Sequence, residues 1–214
     1  MRTMDKIDPQ LITDRLEAGT ISRKIWGDGH EIACLLAAIH PPCAEETSFS
    51  VCPASLMPQW MAEMTLWFGY GPGDEHYEAI ARRYAALAGR WWVLDDSAWK
   101  ILEYKFRKIT VIEYQSIEVI HPKARASMEK VIMLLNRSIS GWHTPLDEWG
   151  YGAWAVDSNL RALSKSTAYM MATSKTKDPT EEVAAMEIAS NHLINTMFDA
   201  LEQEINYAEQ ENSG

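Results

Sequence analysis

The sequence contains no apolar run of the roughly 20 residues that a bilayer-spanning helix needs. Its start, Met1-Arg-Thr-Met-Asp-Lys, also lacks the apolar block of a secretory signal. A cytoplasmic chain without membrane contact is therefore expected. Cysteine is scarce: Cys34, Cys43 and Cys52 are an odd number, suited to thiols in a reducing compartment rather than to a disulfide framework. Basic charge is missing from the end of the chain, where residues 178–214 hold nine acidic side chains and neither Lys nor Arg. With a formal net charge of −10, direct nucleic-acid binding is not expected, because phosphate-rich partners require neutralising cations. Internal repeats, low-complexity tracts and flexible linkers are absent as well.

What is present describes an ordinary globular composition: 214 residues, 47% hydrophobic and 23% charged, enough to bury a full core without cross-links. Charge is segregated, with 5 basic and 12 acidic residues in 1–81, 11 and 6 in 82–137, and 4 and 3 in 138–177. Nine Trp and eleven Met are unusual, since such side chains dominate both cores and adaptable contact surfaces.

Helix signals recur along the chain. Asp8-Pro9 starts a short helix that Gly19 ends. Asp28 and Glu31 form a capping box before Ile32, Leu35, Leu36 and Ile39, and Pro41-Pro42 stops that helix. Pro58 opens a third, with Met57, Trp60, Met61, Met64, Trp67 and Phe68 on one side. Asp74 caps a fourth, carrying Tyr77, Ile80, Tyr84 and Leu87. After Asp95 or Asp96, the residues Ala98, Leu102, Phe106, Ile109 and Ile112 keep helical spacing. The β-branched run 109–120 could form a strand, but a lone strand would have no partner for its backbone, so helix is expected. Pro122 begins the next helix, with Met128, Val131, Ile132, Leu135 and Ile139.

The last third predicts a long antiparallel hairpin. Thr144-Pro145 starts a helix with a seam at Trp149, Ala153, Val156, Leu160, Leu163, Thr167 and Met170. Asp178-Pro179 with Glu181 caps its return, which buries Val183, Met186, Leu193, Ile194, Met197, Leu201 and Ile205. The expected fold is a single all-α domain over 1–214 with about seven helices. A sub-boundary near 141–144 would separate a helical body, 1–140, from the hairpin, 144–210.

Motifs for chemistry are thin. Glu75 and Glu78 share a helix face and could hold Mg²⁺ in an all-α nucleotide or phosphoester hydrolase, but such a site needs a second acidic pair downstream, and no Glu-x-x-Asp occurs in the chain. First-turn carboxylates complementing the helix dipole are the simpler reading. Glu118-Val-Ile-His121 is half of a di-iron pattern without the other half. Cys34, His40, Cys43 and Cys52 lack the tight spacing of a zinc knuckle. Gly69-Tyr-Gly-Pro-Gly-Asp74 matches neither a P-loop nor a dinucleotide fingerprint. No cofactor, resident metal or catalytic residue is expected.

Two features remain. Trp142, Trp149, Tyr151 and Trp154 cluster with Gly141, Gly150 and Gly152, and aromatics lying off the seam are candidate contact residues, although capping of the hairpin core competes with that role. The acidic last helix offers Asp199, Glu202, Glu204 and Glu209 to a partner with a basic surface, unless Arg82, Arg83, Lys105, Arg107, Lys108 and Lys123 of the same chain answer them. The expectation is a non-catalytic protein–protein interaction protein, an inhibitor, immunity-type or regulatory protein of a bacterium or mobile element. Its partner-binding residues would be Trp142, Tyr151, Trp154, Asp199, Glu202, Glu204 and Glu209. The alternatives are the metal-dependent hydrolase and a structural, self-assembling subunit, a homo-oligomer.

Overall fold

The computed structural model describes residues 4–23, 33–118 and 120–213, without the side chains of Leu146 and Tyr151. It is all-helical; the described residues include no strand, and one isolated parallel bridge joins Ile21 to Ala33. The described residues form eleven α-helices rather than about seven. They are α1 (Gln10–Glu17), α2 (Leu35–Ile39), α3 (Pro42–Glu45), α4 (Gln59–Tyr70), α5 (Asp74–Ala88), α6 (Asp96–Ser116), α7 (Pro122–Ile139), α8 (Leu146–Trp149), α9 (Trp154–Asp157), α10 (Leu160–Thr173) and α11 (Pro179–Asn212). None among the described residues is long and apolar enough to cross a membrane.

The extra helices have local causes. Pro42 does not only stop α2: it occupies the first turn of α3, where its missing N–H costs nothing. The expected helix after Thr144 is broken twice. Gly150 sits at φ +50°, which a continuing helix cannot accommodate, and Ser158 is extended before Asn159 restarts the helix by accepting a hydrogen bond from the Ala162 N–H at 3.0 Å. The 109–120 ambiguity resolves as helix as far as Ser116.

Several caps differ from expectation. The Asp28–Glu31 capping box and Ile32 lie outside the described residues. Helix α2 is instead capped by Cys34, whose Sγ accepts from the Ala37 N–H at 3.5 Å. Gly73 is the N-cap of α5 and Asp74 its first helical residue, where Asp74 pairs with Arg23. Asp95 does cap α6, accepting from the Ala98 N–H at 2.8 Å. At α11 the capping box becomes a relay: the Asp178 N–H donates to Thr176 Oγ1 at 3.1 Å, and that hydroxyl donates to Glu181 at 2.8 Å.

Two compact units divide the chain, Met1–Trp99 with Leu201–Gly214, and Lys100–Ala200. The division falls inside α6 and inside α11. In the first unit α5 packs on α1 and α4, and α2 packs on α1 and α4. Its core is aromatic and sulfur-rich: Met57, Met61, Met64, Trp67, Phe68, Tyr84 and Trp91 are all 1% exposed or less. Burying such side chains removes the largest apolar areas available from water, at about 25 cal/mol per Å². The Tyr84 and Thr65 hydroxyls share a hydrogen bond there at 2.9 Å.

The second unit builds a core on Val111, Met128, Val131, Leu134, Leu135, Trp149 and Ala155. The expected stripes hold in the middle of each helix and shift at the ends. Ile112 is 39% exposed while Val111 is buried, and Met171 is buried in place of Met170. Val183, expected in the core, is 58% exposed, whereas Leu193, Ile194 and Met197 are sealed. Along a straight 34-residue helix a seam that recurs every 3.5 residues drifts by about 20° per heptad, so one such register cannot be buried throughout.

Candidate functional site

The Trp-rich turn starts where α7 ends. Gly141 at φ +84° reverses the chain, and the Trp142 N–H closes the helix by donating to the Arg137 carbonyl at 3.1 Å. Arg137 Nη1 donates to Glu148 at 2.7 Å, and the Ser138 and Thr144 hydroxyls meet at 3.2 Å, so the turn is tied to the helix that feeds it. Trp149 is 3% exposed, inside the core, with its indole N–H toward the Thr144 carbonyl at 3.4 Å. Trp154 packs, partly buried, against the same core. Trp142 is the outlier at 68% exposure. The side chain of Tyr151 lies outside the described residues.

Gly152 shows how tightly this segment is seated. A Cβ there would stand 2.5 Å from Val131 Cγ2. We expect Gly152→Ala to destabilise by about 1–3 kcal/mol in a denaturant titration, and Val131→Ala in the same chain to recover part of that loss.

Arg107 anchors the next stretch. The guanidinium of this buried residue donates from Nη1 to the Ala155 and Ser158 carbonyls, both at 2.9 Å, and from Nε and Nη2 to Glu103 Oε1 at 3.2 and 2.8 Å. Lys100 donates to the other Glu103 oxygen at 2.8 Å. Burial pushes the Glu103 carboxyl up, but the Lys100 and Arg107 hydrogen bonds and charges outweigh it and hold the group below the usual range.

The acidic end of α11 is met by cations of the first unit. Arg83 Nη2 donates to Glu202 at 3.2 Å; Arg90 holds Glu209 through both carboxylate oxygens, at 3.1 and 2.7 Å, and Asn206 at 2.6 Å. The Glu209 hydrogen bond raises Arg90, and the Arg90 hydrogen bond lowers Glu209. Of the six cations named from the sequence, Arg83 answers this face as expected; Arg90, which was not named, is its second partner. Asp199 and Glu204 have interactions of their own. Both arginine pairs are more than one-quarter exposed, so each contributes modestly: Arg90→Ala should cost about 1 kcal/mol in thermal unfolding, and less at high salt.

The weaker motifs are absorbed locally. Glu75 lies 3.1 Å from His76, and Glu78 binds Arg82 one turn on at 2.8 Å. No group of three or more His, Cys, Asp or Glu suited to a metal ion occurs among the described residues. His121 caps α7, its Nδ1 accepting from the Lys123 N–H at 3.2 Å. Cys43 and Cys52 share a hydrogen bond inside the first unit, which holds Cys43 above and Cys52 below the usual thiol range.

Sequence spacing missed one pair, because its members come from helices 79 residues apart. His192 Nε2 and Glu113 Oε1 lie 3.1 Å apart on a cleft of about 690 Å³ that Ile117, Met171 and Lys175 also line. A carboxylate–imidazole pair can pass a proton, and covalent catalysis would further require a side-chain nucleophile aimed at it. The two serines of this cleft direct their hydroxyls at backbone carbonyls instead, Ser116 at Glu113 (2.7 Å) and Ser174 at Met171 (2.8 Å). No protein-family description matches this chain, and neither does a curated protein or a solved structure.

Proposed function

We propose that the chain is a non-catalytic interaction protein that grips a protein partner through Trp142, while the acid-rich chain steers a partner with a basic surface toward it. The observation that carries this reading is an indole 68% exposed on a turn braced at both ends. A large apolar side chain left in water on a rigid support has little ordering entropy to lose on binding, and Trp is the residue most enriched at binding hot spots. Steering follows from a net charge of −10 and from residues 178–214, whose nine acidic side chains no Lys or Arg of that stretch offsets. Inhibitor, immunity-type and regulatory roles all fit a protein of this kind.

Glu202 and Glu209 enter this proposal as contributors to the field rather than as a docking face, because each already holds an arginine of the same chain. Reversing them would disturb the first unit as well as any partner. The sharper test is Trp142→Ala. Wild type and variant serve as baits in lysate of the native host at low and high salt, and the catch is identified by mass spectrometry. We expect a basic protein held at low salt and released at high salt. The purified pair should lose roughly 30-fold in affinity on Trp142→Ala, the scale of a hot-spot side chain. Melting temperature should not change, since the side chain is exposed. An undiminished affinity in the variant would reject the assignment of Trp142.

A further inference from the structure

The second unit contains a cavity of about 370 Å³ lined by α6, α7, α9 and α10, and its chemistry is uniform. Tyr114 and Trp154 supply aromatic rings, Met128 and Leu163 apolar walls, and Ser127 and Thr167 hydroxyls; none of the described lining residues is charged. The volume falls in the range of small-molecule sites, and polarizable sulfur beside aromatic rings suits a flat ligand.

Thr167 adds a second, independent indication. Helical threonines ordinarily give their hydroxyl to the carbonyl four residues earlier. Thr65, Thr110, Thr173 and Thr196 do so in this chain, at 2.9, 2.9, 3.1 and 3.0 Å. Thr167 is fully buried, and its Oγ1 has no hydrogen-bond partner. A buried hydroxyl without a partner is costly, and this one belongs to a residue that lines a cavity.

We infer that the cavity between Trp154, Met128 and Thr167 is a binding site for a small, neutral aromatic molecule that carries one hydrogen-bonding group, which the Thr167 hydroxyl meets. An anion or a cation is disfavoured, because no lining charge among the described residues would replace its hydration. The site is separate from the Trp142 surface, and either can fail without the other.

The test is calorimetric titration of the full chain with p-cresol and with toluene, which match in shape and differ in the hydroxyl. Both should bind wild type saturably, p-cresol more tightly. Thr167→Val keeps the shape and removes the hydroxyl. It should weaken p-cresol about fivefold, leave toluene unchanged, and raise the melting temperature of the unliganded protein. Ala124→Leu, which takes up part of the cavity, should weaken both. Absence of saturable p-cresol binding to wild type overturns the inference, and this is also the outcome if only a side chain of a partner protein can enter. Equal losses for both compounds in Thr167→Val overturn it too, as does undiminished binding by an Ala124→Leu protein that melts like wild type.

Discussion

Replacing Arg107 by Ala should destabilise the protein by about 3–5 kcal/mol, the cost of breaking a buried ion pair from one side. The size follows from what is left behind. The Glu103 side chain is 13% exposed and that of Arg107 7%, so solvent cannot take over from the missing guanidinium. Ala155 and Ser158 lose the donor that holds their carbonyls, and Glu103 keeps only Lys100, whose side chain is 58% exposed. For a chain of this size such a loss lowers the melting temperature by roughly 10 °C. Arg107→Lys should recover only part of it, because a single ammonium cannot reach a carboxylate and two carbonyls in one plane. Calorimetric melting of both variants provides the measurement.

The same network sets the acid limb. The folded Glu103 pKa is lowered, so the folded state binds fewer protons than the unfolded chain between the two values, and stability rises with pH across that window. The Glu103 contribution is fully present above the ordinary glutamate value of about 4.3, and it is lost as pH falls through the lower folded value. In Arg107→Ala, burial is opposed by Lys100 alone, and the depression should shrink. The stability gap between wild type and variant should therefore narrow below about pH 4. A gap constant from pH 7 to pH 3 would show that the cost lies in the two carbonyls rather than in the charge.

Local chemistry explains which parts of this fold were legible from the sequence. Helices with strong start signals and mid-helix apolar stripes were found because capping and 3.6-residue spacing are local properties. The breaks after Thr144 were harder to see. Gly150 and Asn159 were visible as residues, but that one adopts positive φ and the other caps depends on the segment being pulled onto the α7 core through Trp149 and Gly152. Positions such as Val183 and Ile112 carried the right side chains and still face solvent, since the face a long helix buries is decided by its neighbours.

The candidate sites divide in the same way. Trp142 stood out because it falls off the seam. The sequence grouped it with Trp154, which the structure places against the core instead. The competition between acidic α11 and the basic middle of the chain was visible as charge blocks, whereas the partners, Arg83 with Glu202 and Arg90 with Glu209, join residues 119 positions apart. The Thr167 cavity had no sequence signal: a threonine in a helical stripe reads as core, and its missing hydrogen bond is a fact of three dimensions.

The adjacent pair Trp91-Trp92 puts the same limit in measurable form, because two identical side chains should respond oppositely. Trp91 is fully buried, edge-on to Tyr84 and Trp99 with ring centres 5.6 Å away in both cases. Trp92 is 38% exposed, with the Lys6 ammonium 4.0 Å above its ring. Trp91→Ala removes a large core side chain and two edge contacts, and should cost about 3–5 kcal/mol. Trp92→Ala loses partial burial and an exposed cation–π contact, and should stay within about 1 kcal/mol. Trp91→Phe separates packing from polarity. It keeps an aromatic edge while deleting an indole N–H that is buried without a partner, so part of the lost area is offset by relief of a desolvation cost of about 1–3 kcal/mol. Urea titrations should rank the losses Trp91→Ala, Trp91→Phe, Trp92→Ala from largest to smallest. If Trp91→Phe cost as much as Trp91→Ala, the indole N–H would have to be satisfied in solution, and the first unit would owe part of its stability to a bond rather than to ring packing.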